Sequence, residues 1–113
     1  MKYFNLNWLL LFIIYTTPAS SKNSYQIDHL EPPFWWAGMA DNTLQLMAHG
    51  KVIADLEPEL SYPGIVINQV HRLDNPNYLF IDLLLSETTM PGKFDILFNK
   101  SGQTIISHPY EIV

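Results

Sequence analysis

The chain has no cysteine. A disulfide scaffold, a thiol nucleophile, thiolate metal sites and a lipid-anchored cysteine are therefore excluded. Basic residues are also scarce: six Lys and Arg stand against eleven Asp and Glu, a formal net charge of −5. Lys22, Lys51, Arg72, Lys93 and Lys100 are scattered and form no patch. That argues against a nucleic-acid partner, because phosphate binding needs a basic surface. The five glycines, Gly38, Gly50, Gly64, Gly92 and Gly102, are isolated at turn positions, so there is no glycine-rich phosphate loop. No segment repeats apolar residues at i, i+3 and i+4 long enough to predict a helix. No apolar run reaches the ~20 residues that a membrane span requires.

The longest apolar stretch is N-terminal. Lys2 precedes Trp8-Leu-Leu-Leu-Phe-Ile-Ile-Tyr15, and Thr16-Thr-Pro-Ala-Ser-Ser21 follows with small residues. These are the three parts of a secretory signal. The reading is a signal peptide over residues 1–21, cleaved after Ala19 or Ser21. The remaining domain, residues 22–113, is expected to be exported, to the periplasm, and free of the membrane after cleavage.

Beyond the signal the pattern alternates with a period of two. A first strand is predicted over Tyr25–Leu30, with Tyr25, Ile27 and His29 on one face. Thr43–His49 puts Leu44, Leu46 and Ala48 on one side and Gln45, Met47 and His49 on the other. Val52–Ala54 reads as a short strand, Glu57–Ser61 as a polar loop and Pro63-Gly64 as a turn. Ile65–Leu73 is rich in β-branched residues of mixed phase, with Ile65 and Ile67 on one face and Val66 and Val70 on the other. Either both faces are partly buried or a bulge resets the register. Asp74-Asn-Pro-Asn77 is the strongest turn signal. Tyr78–Leu85 reads as a central strand, with Leu79, Ile81, Leu83 and Leu85 on one face. After Pro91-Gly92, residues 93–99 direct Phe94, Ile96 and Phe98 inward, and Lys100-Ser-Gly102 fits a hairpin loop. Short strands with turn signals every ten residues or so predict an all-β antiparallel sandwich.

Catalytic chemistry finds little support in this pattern. The carboxylates sit in turns (Asp41, Asp74), on polar strand faces (Asp95) or around Pro58 (Glu57, Glu59), where solvated charges belong. A glycosidase site needs two carboxyls fixed on facing walls of a cleft. His29, His49, His71 and His108 show no metal-pair spacing and no His-Glu-x-x-His arrangement. Composition leaves a Ser–His–Asp triad open, yet nothing resembles Gly-x-Ser-x-Gly. No catalytic residue, metal ligand or cofactor is assigned. The remaining candidates are Phe34, Trp35 and Trp36, in the proline-stiffened run Glu31-Pro-Pro-Phe-Trp-Trp-Ala-Gly-Met39. Adjacent side chains of an extended segment point to opposite faces, so both indoles cannot enter one core. The outward ring can stack on a sugar or anchor a protein interface. Tyr62 and Tyr78, each beside a turn, are candidates to extend that surface.

The blocks His29–Met39, Leu44-Gln-Leu-Met47, Gly50, Ile53-Ala-Asp55, Tyr62-Pro-Gly64, Leu73–Phe80, Pro91-Gly-x-Phe94 and Tyr110-Glu-Ile112 occur in an order that resembles the N-terminal domain of exported neopullulanases and cyclomaltodextrinases. Those enzymes belong to the alpha-amylase family of glycoside hydrolases. The resemblance covers residues 25–113. It implies an immunoglobulin-like sandwich placed ahead of a (β/α)8 catalytic barrel, in the same chain or a partner subunit. There it implies a role in docking or dimerisation and in shaping access for maltooligosaccharides, cyclodextrins or pullulan. The family's catalytic carboxylates lie in the barrel, so none is carried over. On this reading the domain is not an enzyme by itself, and the sequence is that of a truncated chain. The alternative is a small carbohydrate-binding module that stacks α-glucan on Trp35 and Trp36.

Overall fold

The computed structural model describes residues 25–113; the signal peptide expected over residues 1–21 and the 22–24 stretch lie outside the described residues. Seven strands follow one another: β1 His29–Glu31, β2 Thr43–His49, β3 Glu57–Glu59, β4 Ile65–His71, β5 Tyr78–Leu85, β6 Gly92–Lys100 and β7 Gln103–Ile112. They form two sheets, β1-β2-β5-β4 and β3-β6-β7, with every strand pair antiparallel. Lettered A to G in chain order, the sheets read ABED and CFG. The described residues contain no α-helix, and all-β architecture is therefore observed as expected.

The core follows from the alternation. Leu44, Leu46 and Ala48 on β2 and Leu79, Ile81, Leu83 and Leu85 on β5 are buried from one side. Ile96 and Phe98 on β6 and Tyr110 and Ile112 on β7 meet them from the other. These inner faces join in one apolar cluster, as two packed sheets require.

The mixed phase of the fourth strand has a specific cause. Ile67 pairs with Leu83 and Gln69 with Asp82, which leaves Asn68 as the extra residue of a bulge. The bulge brings Val70 onto the core side with Ile65 and Ile67 and leaves Val66 outside at 57% exposure. Val66 and Val70 therefore do not share a face. At the 100–103 hairpin, Ser101 and Gly102 both take positive φ, 53° and 80°, the pair of values that a two-residue type I′ loop needs.

Three local expectations are corrected. The first strand is shorter and shifted: Leu30, not His29, is the buried residue, and upstream pairing is reduced to Gln26 N–H to Lys51 O and Asp28 N–H to His49 O. Val52–Ala54 is not a strand. Val52 sits at φ 58° with its N–H donated to the Asn77 side chain, and Ile53–Asp55 is a single 3-10 turn. The polar Glu57-Pro-Glu59 stretch is a strand, not a loop. It lies at the edge of its sheet, where Pro58 opposite Phe98 breaks no interior ladder.

Candidate functional site

The Pro-Pro-Phe-Trp-Trp run is where the chain changes sheets. β1 pairs with β2, the Glu31–Pro32 peptide is cis, and the chain then crosses to the other sheet. There Trp35 runs parallel to Ile112. Trp35 N–H donates to Glu111 O at 3.1 Å, Val113 N–H to Trp35 O at 2.7 Å, and Ala37 N–H to Val113 O at 2.9 Å. Two prolines without N–H groups suit a stretch that leaves one ladder before joining another. Gly38, at φ 76°, turns the chain away.

This geometry buries the two indoles unequally although their rings touch. Trp35 lies partly buried against the core, while Trp36 is 47% exposed and Phe34 41% exposed. Phe34 and Trp36, two residues apart, meet edge to face with ring centroids 5.3 Å apart. Trp35 and Trp36 are 5.4 Å apart and tilted. Met39, 46% exposed, continues the apolar strip. One side of the strip opens on a cleft of about 240 Å³, walled by Trp35, Trp36, Met39, Asp41, Asn42 and Glu87 among others. The carboxylate of Asp41 accepts from the Thr43 hydroxyl at 2.7 Å and the Thr43 N–H at 3.0 Å. Those two bonds hold its pKa below the ordinary carboxylate value, so the cleft keeps a charged acceptor. On the other side a groove of about 310 Å³ runs between Pro33, Phe34, Lys93, Pro109, Tyr110 and Glu111.

The two candidate tyrosines are placed differently. Tyr62 donates its hydroxyl to Met90 O at 2.6 Å and lies over Gly92, where a side chain would collide with it. Its ring is 4.9 Å from Phe94, and Phe94 is 5.9 Å from Tyr110. Tyr62 thus reaches the tryptophan segment only through Phe94 and Tyr110. Tyr78 does not join it. It opens β5, whereas the cleft touches Leu85 at the other end of that strand. Seven residues of strand place them roughly 23 Å apart.

Tyr78 belongs instead to a row across the outer face of the four-stranded sheet. His29, His49 and Tyr78 are register partners, with His29 stacked on His49 at 5.0 Å and His49 4.7 Å from Tyr78. His49 Nδ1 lies 3.2 Å from Asp28 Oδ2 without the alignment of a hydrogen bond. Further along, His71 Nε2 meets Asp82 Oδ2 at 2.7 Å, and the Gln45 side-chain amide donates to Asp82 Oδ1 at 2.8 Å. These bonds, His71 first, lower the Asp82 pKa. The third member of this group is an amide, not a hydroxyl, so it is no Ser–His–Asp triad. Glu57 pairs with Arg72 and Glu59 accepts from Asn99, so each is engaged within the fold. Among the described residues no group of three His, Asp or Glu is arranged to hold a metal ion.

Sequence reasoning missed Tyr110, Lys93, Pro109 and Glu111 as neighbours of the tryptophan segment. Tyr110 donates its hydroxyl to Pro32 O at 2.9 Å across 78 positions of sequence, a separation on which local periodicity carries no signal. With this geometry in hand, comparison with known families gives one finding: residues 29–113 match the family model described as cyclomaltodextrinase, N-terminal.

Proposed function

The chain belongs to the cyclomaltodextrinase N-terminal domain family, and from that premise we propose that its exposed aromatic strip docks on an alpha-amylase-type catalytic barrel. The barrel belongs to the same chain in a full-length parent or to a partner subunit. The role is non-catalytic: docking or dimerisation, with the domain shaping access of an α-glucan to a site elsewhere. The sheets ABED and CFG give the strand order of a seven-stranded immunoglobulin-like sandwich, which supports that label for the fold. We propose further that the protein is exported to the periplasm after loss of residues 1–21; N-terminal sequencing of the exported form should begin at Ser20 or Lys22.

The observation that carries the docking reading is the outward Phe34–Trp36 pair continued by Met39 on a rigidly bonded segment. Exposed aromatic groups on a fixed backbone are what interface hot spots are made of. The test is titration of the chain with a separately produced cyclomaltodextrinase barrel, followed by sedimentation. Trp36→Ala should weaken association at least tenfold, the loss expected of a central aromatic anchor. Association unchanged by this substitution removes the reading.

A second reading is favoured by the cleft itself, in which Trp36 stands beside the polar side chains of Asp41, Asn42 and Glu87. An indole face flanked by acceptors and donors suits a sugar ring, so the same residues describe a small α-glucan-binding module. Maltooligosaccharide titrated to millimolar concentration, followed by tryptophan fluorescence, separates the two. A saturable shift lost in Trp36→Ala supports sugar binding; a flat response leaves docking.

A further inference from the structure

The aromatic strip is held unevenly. Residues 35–37 are fixed by three backbone bonds to residues 111–113. Upstream, Pro32 and Pro33 have no N–H to donate, and β1 has ended at Glu31. Among the described residues, a single hydrogen bond reaches Pro32, Pro33 or Phe34: the one from the Tyr110 hydroxyl to Pro32 O. Tyr110 is only 2% exposed, and its ring is fixed against Phe94 and the core. Its hydroxyl is therefore delivered from a rigid platform. The same ring walls the groove beside Pro33 and Phe34.

From this arrangement we infer that Tyr110 is a positioning residue for the aromatic strip: its buried hydroxyl pins the sheet-to-sheet crossover and so sets where Phe34, and through it Trp36, stands. The inference rests on the docking reading for its purpose, but not for its geometry. Without the hydroxyl, residues 32–34 are held only at their two ends, by the Glu31–Met47 pairing and by the bonds from Trp35 onward. Phe34 then loses its fixed place, and with it the edge that rests on Trp36. The ring of Tyr110 fills the core whether or not its oxygen is present, so packing and positioning are separable.

The test is Tyr110→Phe in the exported form labelled with 5-fluorotryptophan, whose two fluorine resonances are assigned by single Trp→Phe replacements. The resonances of Trp35 and Trp36 should move or broaden. Association with a cyclomaltodextrinase barrel should weaken about threefold to tenfold, the range for one lost hydrogen bond. Trp35 and Trp36 resonances at their original positions overturn the inference, even if the melting temperature falls, since lost stability with unmoved indoles describes a purely structural tyrosine. If Tyr110→Phe does not fold, Pro33→Gly loosens the same crossover from its exposed side. The two indole resonances must then shift in that variant, and their constancy is equally fatal. A Trp36→Ala variant that associates normally removes docking, and the fluorine resonances then decide for or against Tyr110 on their own.

Discussion

Adjacent tryptophans of unequal burial should fail to unequal degrees when truncated. A Trp side chain offers roughly 150–250 Å² of surface. Trp35 packs most of its ring against the core, so about 150 Å² returns to water on truncation. At ~25 cal/mol per Å² that is about 3–4 kcal/mol, in the range for buried Trp→Ala changes. Trp36 hides about half of its surface, or roughly 100 Å². Much of this is covered by Phe34 and Trp35, neighbours that also shade it in an unfolded chain, so the true cost is nearer 1 kcal/mol. For a domain of this size 1 kcal/mol shifts the melting temperature by about 4–8 °C. Trp35→Ala should therefore lower it by on the order of 15 °C, and Trp36→Ala by about 5 °C. Urea and thermal melts followed by far-ultraviolet circular dichroism read both without relying on the removed fluorophore. Equal destabilisation by the two substitutions, or a larger effect from Trp36→Ala, would refute the assignment of Trp35 as the more deeply buried ring.

The remaining predictions concern backbone approach and titration. A Cβ on Gly50 would strike the Gln26 carbonyl and come within 2.6 Å of Ile27 Cα, so Gly50→Ala should cost about 2–3 kcal/mol and speed hydrogen exchange at the Asp28 amide. Gly102→Ala meets no atom within 4 Å but keeps φ 80°; the penalty there should be about 1–2 kcal/mol, measured by the same urea melts. The Asp82 pKa is lowered from its ordinary 3.8, first by His71 and then by Gln45. Its contribution is thus present above that pH and lost as pH falls through the lower folded value. Solvent exposure keeps the contribution small; urea midpoints of wild type and Asp82→Asn should differ near pH 6 and converge towards pH 2. Burial raises the Tyr110 pKa above its ordinary 10.0, so neutral Tyr110 stabilises the fold below that pH and the benefit is lost above it. Absorbance at 295 nm should show a tyrosine that ionises only with unfolding, and Tyr110→Phe should remove that step.

Two features bear on how the domain avoids unwanted pairing. β3 is an edge strand blunted by Glu57, Pro58 and Glu59, and β4, at the edge of the other sheet, carries the Asn68 bulge. Charge, proline and bulges are the usual means of protecting sheet edges. On β7 the free edge is instead occupied by the tryptophan segment itself. The segment proposed to meet a partner thus also closes the sheet that carries it.

Whatever depends on a period of two and on turn chemistry was legible in the sequence. The bounds of Thr43–His49, the buried face of Tyr78–Leu85, the mixed phase of Ile65–Leu73, and the exclusion of both indoles from one core all follow from side chains alternating along a single strand. These are local properties, readable within a few residues. Tertiary structure decided the rest, because it concerns which strand lies beside which. Glu57-Pro-Glu59 becomes a strand only because β6 offers a ladder beside it. Tyr78 falls on the outer face with His49, and the tryptophan run joins Glu111–Val113 instead of continuing beside β2. Such contacts join residues dozens of positions apart, where the free energy of association is set by the whole packed core and not by any neighbouring sequence.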